Sequence, residues 1–319
     1  MAEPLFSVVI PVYNRADVLA RALRSVLDQS CQDFEIVVVD DGSVDDPKSV
    51  AESFGDPRIR FFRQDNRGGG AARNAGIDLA RGQLIAFLDS DDLFLPEHLE
   101  TMKHLLAGTN DTIGYAPMIV DRGAGRTFIK PPRALGPAEH MATYLMCDRG
   151  FVPTITLVLA RETARRVRYD EDLPFAQDTD FAIRLFLAGC KFVMAQEPGA
   201  IWKDIPDPGR ASAGRKGARL LPWIERLRPS IPVKAYYGCR GWMIAKGVAA
   251  ANPLAALRLY AQAAIRGCYS ARLAAIIFVQ IFFPDRLYRR LADVAIGLFR
   301  GAVWSRKETR SLKPRIANP

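Results

Sequence analysis

The sequence predicts an α/β protein built on a doubly wound, mostly parallel sheet, with a helical C-terminal extension. Short β-branched segments alternate with segments of helical periodicity in the N-terminal part, which is the pattern of a parallel sheet covered by helices. Of the 319 residues, 49% are hydrophobic and 25% charged, and this balance excludes a disordered or collagen-like chain. We expect a main domain over residues 1–210 and a basic helical region over 211–319.

The N-terminal elements alternate in type along the chain. We predict strands over residues 6–12, 35–40, 58–63 and from 84 onward, with helices over 16–29 and 70–80. In a sheet of this kind, ligands bind outside the carboxyl ends of the strands. Tyr13, Asp41 and the acidic residues 89–92 all follow such strand ends. We therefore expect these side chains to face one ligand site.

The later elements are predicted to become helical toward the C-terminus. We predict helices over 96–106 and 181–188, strands over 112–120 and 191–195, a loop over 121–136, a Pro- and Gly-rich linker over 205–222, and helices over 254–266, 271–283 and 285–304. Gly189 is a usual C-terminal stop for the helix before it. The last helix combines an apolar stripe with four arginines, Arg286, Arg289, Arg290 and Arg300.

Three carboxylates, Asp89, Asp91 and Asp92, follow the apolar run of residues 84–88. Like charges this close together call for a cation, and hard oxygen ligands suit Mg²⁺ or Mn²⁺ carrying a diphosphate. Alternate residues of a strand share a face, so Asp89 and Asp91 are expected to point the same way. Taken alone, the run is more often an acidic loop or a helix N-cap than a metal site.

Positive charge is concentrated in the C-terminal third. Residues 221–319 hold 17 Lys and Arg against 4 Asp and Glu, a balance of +13, so residues 1–220 carry −4 of the total of +9. Nucleic acid or the anionic inner leaflet of a membrane is the partner that such asymmetry suggests. The aromatic residues of this region lie in apolar helical stretches, not on a strand platform, which disfavours nucleic acid.

Cysteine usage and hydropathy point to the cytoplasm. The five cysteines are scattered singly, so neither a zinc site nor a disulfide framework is predicted. The first residues lack the basic region of a signal peptide. The longest apolar stretch, residues 273–283, is about half of the ~20 residues that a spanning helix needs, so we expect no transmembrane segment.

Four motifs occur in order along the chain. They are S-V-V-I-P-V-Y-N at 7–14, V-V-D-D-G-S at 38–43, N-R-G with A-R-N-A-G across 66–76, and F-L-D-S-D-D at 87–92. With these motifs, residues 5–205 closely resemble the family 2 glycosyltransferases of the GT-A fold, which is Rossmann-like. The region from Arg219 onward resembles, more loosely, the bacterial exopolysaccharide enzymes of the succinoglycan type.

The resemblance assigns the nucleobase contacts to Pro11, Tyr13 and Asp41. These residues are suited to binding a nucleobase. Strand ends supply backbone groups, Tyr13 supplies an aromatic face, and Asp41 supplies an acceptor for a base N–H. Asp40 is expected to bond locally instead. The alternative for Tyr13 is a core or loop aromatic.

The diphosphate and metal contacts are expected at the other two motifs. Arg73, at a glycine-rich helix start, suits a diphosphate by its charge, although a solvated helix arginine is the competing interpretation. The resemblance implies Asp91 as the direct ligand of the cation, with Asp89 on the ribose or the ion. Asp92 is equally suited to capping the following helix.

The resemblance also implies a general base at Asp178. The family motif E-D-x-D-L is matched by residues 177–181, where Gln177 replaces the usual Glu. An N-cap for the helix at Phe181 is the competing role, and both roles together are possible. Many members carry a later His as a further ligand. This chain has Lys203, Asp204 and Arg210 in that region, and the sequence does not decide which of them takes the place of the His.

These assignments predict an inverting, metal-dependent glycosyltransferase with a nucleotide-diphosphate sugar donor, UDP-linked in our interpretation. The expected acceptor is a saccharide, lipid-linked, in surface or exopolysaccharide biosynthesis, and the expected place is the inner face of the cell membrane through the basic helices. One rival is a nucleotide-sugar-binding or scaffold protein that has lost turnover, suggested by Gln177 and the missing His. A nucleic-acid-binding protein is the weaker rival.

Overall fold

A computed structural model describes residues 3–205, 217–284 and 287–288. The strands are β1 (Phe6–Val12), β2 (Phe34–Asp40), β3 (Ile59–Arg63), β4 (Leu84–Phe87), β5 (Leu93–Phe94), β6 (Thr112–Tyr115), β7 (Met118–Asp121), β8 (Thr127–Lys130), β9 (Val158–Ala160), β10 (Lys191–Met194) and β11 (Ala200–Lys203). The helices are α1 (Ala16–Leu27), α2 (Pro47–Glu52), α3 (Gly69–Leu79), α4 (His98–Leu106), α5 (Met141–Cys147), α6 (Arg161–Val167), α7 (Gln177–Leu187), α8 (Leu221–Leu227), α9 (Val233–Cys239), α10 (Ala245–Val248), α11 (Pro253–Ile265) and α12 (Ala271–Phe282).

The main sheet has seven strands in the order β10-β6-β9-β4-β1-β2-β3. Strand β1 pairs in parallel with β2 and β4, and β2 pairs in parallel with β3. The predicted mostly parallel sheet is confirmed, and the exception is β9, which runs antiparallel to β4 and β6. Every residue of β2 is buried, as its continuous apolar run requires for a strand covered on both faces. The carboxyl ends of β1, β2 and β4 therefore lie side by side.

Close packing of α3 on the sheet depends on Gly76. A Cβ atom added at this position would lie 2.2 Å from Cγ1 of Val9 in β1, so only glycine lets the helix come this near. The helix start at Gly69, which follows Gly68 in a left-handed conformation, is thereby placed above the carboxyl ends of the central strands.

A second sheet of four strands has the order β5-β11-β7-β8. It corrects two predictions. The single strand expected over 112–120 is two strands in different sheets, because Pro117 lacks the backbone N–H that a continuous ladder needs. The expected loop over 121–136 contains β8, whose T-F-I-K residues pair antiparallel with β7 across a turn with left-handed residues at Gly123, Ala124 and Gly125.

The C-terminal helices share a hydrophobic core with α5 and α7. Trp223 of α8 donates its Nε1–H to Asp180 of α7 at 2.8 Å, and Trp242 donates to Gln280 of α12 at 2.7 Å. The latter bond gives the side-chain oxygen of Gln280 a partner inside the apolar stretch. Helices α11 and α12 agree with the predicted bounds. The boundary proposed at residue 210 and most of the helix expected over 285–304, with its four arginines, lie outside the described residues.

No helix within residues 3–205, 217–284 and 287–288 combines the length and the apolar composition needed to cross a bilayer.

Candidate active site

The end of β1 presents Pro11 and Tyr13 at the predicted edge of the sheet. Pro11 is the penultimate strand residue and is partly exposed, and Tyr13 is 47% exposed. The next residue, Asn14, has a φ of 50°. Its backbone N–H donates to Ser43 Oγ at 2.9 Å, and its Oδ1 accepts from Val44 N at 2.8 Å. An accessible aromatic face is thus held beside the turn that follows β2.

Asp41 organises the loop that follows β3. Its Oδ1 accepts from Gln64 Nε2 at 2.7 Å and from the Arg67 backbone N at 3.0 Å, and its Oδ2 accepts from Gly68 N at 2.8 Å. The carboxylate therefore spans from β2 to the start of α3. Gly42, with a φ of 80° and no room for a Cβ beside Asn66, lets the backbone turn there.

Asp40 bonds locally, as predicted. Its Oδ1 accepts from Ser43 N at 2.9 Å, and its Oδ2 forms a salt bridge of 2.8 Å with Arg63 Nη1. The side chain is fully buried, so it shapes the turn that carries Asp41 and is not available to a ligand.

Asp89 and Asp91 lie in a turn and not on a strand, which corrects the strand argument. Strand β4 ends at Phe87, and Asp92 N donates to Asp89 O at 3.1 Å. Each carboxylate contacts an arginine: Arg73 Nη2 is 2.6 Å from Asp89 Oδ1, and Arg15 Nη1 is 2.5 Å from Asp91 Oδ2. The side chains of Asp89 and Asp91 are 35% and 21% exposed. Both carboxylates are accessible from the site.

Asp92 does not cap the following helix. Helix α4 begins at His98 with Glu97 as its N-cap, which is too far along the chain for Asp92 to reach. The Asp92 side chain is buried, and its Oδ1 accepts from the backbone N of Lys203 at 2.9 Å. It ties the acidic turn to β11.

Arg73 joins the acidic turn to helix α7. Besides Asp89, it donates through Nη1 to Gln177 Oε1 at 2.9 Å, and its guanidinium carbon lies 5.4 Å from the ring centroid of Tyr169. Burial opposes the charge, but Asp89 and the other neighbouring groups outweigh it and raise the Arg73 pKa. The solvated alternative is wrong, since the side chain is only 12% exposed.

Asp178 lies in the first turn of α7, next to Gln177. The helix begins at Gln177 after Ala176, whose φ is 60°, so the expected start at Phe181 and the N-cap role of Asp178 are wrong. Asp178 Oδ1 accepts from Thr179 N at 2.7 Å. Burial raises the Asp178 pKa, and the Thr179 N–H, Lys130 and Arg73 act against that rise. A carboxylate with a raised pKa is better suited to accepting a proton.

Lys130 and Arg15 are residues of this site that the motifs do not reveal. The Lys130 ammonium lies 3.8 Å from the ring centroid of Phe151 and 5.7 Å from that of Trp202. Burial lowers the Lys130 pKa, whereas the charges of Asp178 and Asp204 counteract that effect. Lys130 was not identified from the sequence because it lies in a segment predicted as a loop. Arg15 could have been identified from the sequence, because it directly follows Tyr13 and Asn14 of the first motif.

The residues in place of the missing His have protein partners. Lys203 Nζ is 2.9 Å from Asp121 Oδ2, and Asp204 Oδ2 is 3.1 Å from Arg122 Nε. Arg210 lies outside the described residues. The histidines behave as predicted: His98 is buried in packing contact with Phe94, and His104 is exposed.

The donor set of Asp89 and Asp91 fits a hard divalent cation. Two carboxylates with accessible oxygens suit Mg²⁺ or Mn²⁺, which is usually held by one or two carboxylates together with phosphate oxygens and water. In the parts of the chain that the structure describes, no three His, Cys, Asp or Glu residues are grouped to hold a metal ion by themselves. A cation held by Asp89 and Asp91 alone would need phosphate oxygens or water to complete its shell.

Comparison with protein families gives a match to Glycosyl transferase family 2 over residues 7–175. The amylovoran biosynthesis glycosyltransferase AmsB of Erwinia amylovora is 32% identical over 254 residues, which is 76% of this chain and 84% of that protein. The succinoglycan biosynthesis protein ExoO of Rhizobium meliloti is 47% identical over 100 residues, but this covers 31% of this chain and only 29% of ExoO.

Solved structures share the fold at low sequence identity. A mannosyltransferase from Pyrobaculum calidifontis, in complex with GDP-Man and Mn²⁺, matches 96% of this chain and 89% of its own with a TM-score of 0.58 and 16% identity. TarS of S. aureus in complex with UDP-GlcNAc matches 86% of each chain with a TM-score of 0.55 and 17% identity. These similarities establish the fold.

Proposed function

Because the chain belongs to glycosyl transferase family 2, we propose that this glycosyltransferase moves a sugar from a nucleotide diphosphate to a saccharide hydroxyl with inversion. The observation that carries the proposal is the pair of contacts made by Arg73. Its guanidinium reaches Asp89 at 2.6 Å and Gln177 at 2.9 Å, so it connects the acidic turn with the residue that precedes Asp178. A diphosphate group and a general base are needed at adjoining positions in such a transfer.

In this proposal the donor lies along the carboxyl ends of β1, β2 and β4. Tyr13 stacks on the base, Pro11 provides backbone contacts, and the one lone-pair site of the buried Asp41 that its loop leaves unused accepts from a base N–H. Asp89 and Asp91 would hold Mg²⁺ or Mn²⁺, and the cation would supply positive charge beside the leaving diphosphate. A UDP-linked donor is our preferred choice.

Asp178 accepts the proton of the acceptor hydroxyl. The acceptor oxygen bonds to the anomeric carbon as that proton passes to Asp178, and the bond from this carbon to the diphosphate oxygen breaks. The electron pair leaves with the nucleoside diphosphate. Attack opposite the leaving group gives a β-linkage from an α-linked donor. Arg73 supports departure by its charge.

We propose that the acceptor is a lipid-linked saccharide of exopolysaccharide biosynthesis, reached at the inner face of the cell membrane. The names of AmsB and ExoO place those relatives in such biosynthesis. Helices α11 and α12 support lipid contact here, since they expose large apolar side chains beside basic ones. The exposed apolar residues of these helices and their C-caps are Leu254, Leu257, Ile265, Phe278 and Phe283, and the exposed basic residues are Arg258, Arg266 and Arg272.

A panel of nucleotide sugars tests the donor site. The purified protein is heated with each compound in the presence of Mn²⁺ or of a chelator, and released nucleotide is measured in parallel. A ligand that binds only the folded state raises its stability by about 2.7 kcal/mol at a hundred times Kd. We expect stabilisation by one nucleotide class, reduced by the chelator, with slow nucleotide release. Binding without release would favour a binding protein, and no binding at all would refute the proposal.

Vesicle sedimentation tests the membrane contact. We expect the protein to sediment with anionic vesicles at low salt, and expect combined Gln substitution of Leu254, Leu257 and Ile265 to release it. Val233→Gln is the control, because Val233 is 71% exposed in the same C-terminal region but outside α11 and α12. Absence of sedimentation by the unchanged protein would contradict this part of the proposal.

A further inference from the structure

Arg15 stands on a backbone that is fixed by the neighbouring turn. Asn14 exchanges hydrogen bonds with Ser43 and Val44, and the Ala16 backbone N donates to Asp45 Oδ2 at 2.8 Å. Both neighbours of Arg15 are therefore held to the loop that follows β2. The backbone position of Arg15 is therefore fixed, which limits the space that its guanidinium can reach.

The Arg15 side chain meets the carboxylate that we assign to the cation. Nη1 lies 2.5 Å from Asp91 Oδ2, and the two side chains are 22% and 21% exposed. The contact is charge-assisted, and it occupies one oxygen of the Asp91 carboxylate. The partial exposure leaves both groups accessible to ligands entering the site.

We propose that Arg15 makes cation binding at Asp91 depend on the diphosphate of the donor. This rests on the proposed function, because Asp91 must be the metal ligand. A divalent cation placed on Asp91 alone would lie close to the positively charged guanidinium, which also draws electron density from the same carboxylate. Arg15 therefore opposes binding of the bare cation.

The diphosphate reverses this effect. Its negative oxygens contact the cation and also accept hydrogen bonds from the Arg15 fork, whose geometry matches phosphate. Arg15 then exchanges Asp91 Oδ2 for a phosphate oxygen, and the cation takes the carboxylate. The residue becomes a positioning group for the diphosphate, so cation and donor bind as a unit and not one at a time.

Two binding measurements on the full chain test the proposal. Affinity for Mn²⁺ alone is read from the electron paramagnetic resonance signal of the free ion, and affinity for a preformed Mn²⁺–pyrophosphate complex is read by calorimetry. Pyrophosphate is chosen because it carries the diphosphate without a nucleobase. The proteins are wild type, Arg15→Gln, Arg15→Lys and Arg21→Gln, the last being a charge-matched control at an exposed site on α1.

We expect opposite changes in Arg15→Gln: Mn²⁺ alone binds at least about tenfold tighter, and the complex binds at least about tenfold weaker. Arg15→Lys keeps the charge but loses the fork, so it should bind Mn²⁺ like wild type and the complex with intermediate affinity. Arg21→Gln should change neither value.

Equal behaviour of Arg15→Gln and Arg21→Gln would overturn the inference, since remote charge would then explain any change. Weakening of both affinities in Arg15→Gln, with Arg15→Lys behaving the same way, would indicate a structural role and also overturn it. If wild type binds neither Mn²⁺ nor the complex, the metal site of the proposed function fails as well. Binding by wild type thus tests the proposed function, and the changes in binding by the Arg15 variants test the role of Arg15.

Discussion

The edge of the sheet that carries the site and the joint between α7 and the C-terminal helices are held together by different forces. At the sheet edge, arginines contact the carboxylates Asp89 and Asp91, and these side chains are partly exposed. At the joint, buried apolar side chains surround the hydrogen bond from Trp223 to Asp180, and Asp180 also pairs with Arg184 within α7.

The difference separates function from folding. A partly exposed ion pair contributes little to stability, so its members are free to exchange partners with a ligand. Buried apolar surface contributes about 25 cal/mol per Å² to the stability of the fold. Unlike an ion pair, these side chains have no ligand with which they could exchange their contacts. Changes at the sheet edge should therefore reduce activity and spare the fold, whereas changes at the joint should do the reverse.

The largest expected effect is that of Asp91→Asn. Transfer should fall below detection, because the leaving diphosphate loses its cation, while thermal stability stays close to that of wild type. Transfer is assayed across Mn²⁺ concentrations alongside thermal unfolding. Full activity of wild type in chelator, or a largely unfolded variant, would contradict the comparison.

The next effect is that of Asp178→Asn, which keeps the shape but removes the base. Turnover should drop by about 10² to 10⁴, the range for loss of general-base catalysis, and donor affinity should remain nearly unchanged. Kinetics and calorimetry with one donor separate the two quantities. Loss of donor binding without a change in turnover would show that Asp178 belongs to the donor site instead.

At the joint, Trp223→Phe removes the donor to Asp180 but retains an aromatic ring. We expect the free energy of unfolding to fall by about 1–3 kcal/mol, since a buried carboxylate loses a hydrogen bond. Chemical denaturation gives this value, and Asp180→Asn with the double variant completes a cycle. Donor affinity should not change. A loss of donor binding larger than the loss of stability would contradict the separation of folding at the joint from function at the sheet edge.

His98 is an ionisable group that we expect to affect folding and not activity. It is 2% exposed, and burial lowers its pKa to about 3. The unfolded chain, with a pKa of about 6.5, binds the proton first. Stability should therefore fall by up to about 1.4 kcal/mol per pH unit as the pH drops below about 6.

Denaturation between pH 7 and pH 5 measures this contribution. His98→Leu should flatten the slope, while His104→Leu, which changes an exposed histidine on the same helix, should retain it. An unchanged slope in His98→Leu would mean that other groups cause the acid sensitivity.

The smallest expected effect is a shift in the pH profile of Lys130→Met. Asp178 works as a base only when ionised, so kcat/KM falls as the pH drops through its pKa. The Lys130 ammonium lowers that pKa against the effect of burial, and its removal should move the acidic limb of the profile to higher pH. A limb that stays in place or moves to lower pH would contradict the electrostatic contact.

Much of the fold was predictable because the sequence patterns that indicate it lie within short, continuous segments. The runs that form β1 and β2 are apolar and β-branched, and the motifs after them identify the family and the GT-A class, both confirmed. Strand β8 was missed because only four residues pair within a segment rich in Gly and Arg. Strand β9 has three residues, too few for a period to be recognised.

The partners of side chains were harder to predict than their presence. Asp91 and Arg73 were named from motifs, but the pairing of Asp91 with Arg15, 76 positions apart, is a product of tertiary structure. Lys130 approaches Asp178 through a hairpin that the sequence did not reveal. The site residues themselves stay predictions until the variants above are measured.

The proposed function depends on direct displacement at the anomeric carbon with Asp178 as the base. The most direct measurement is the anomer first released when the enzyme hydrolyses an α-linked donor, recorded by proton NMR before the free sugar equilibrates. We predict that the β-anomer appears first, since water takes the place of the acceptor and attacks opposite the diphosphate. Initial release of the α-anomer would contradict direct displacement and, with it, the role assigned to Asp178.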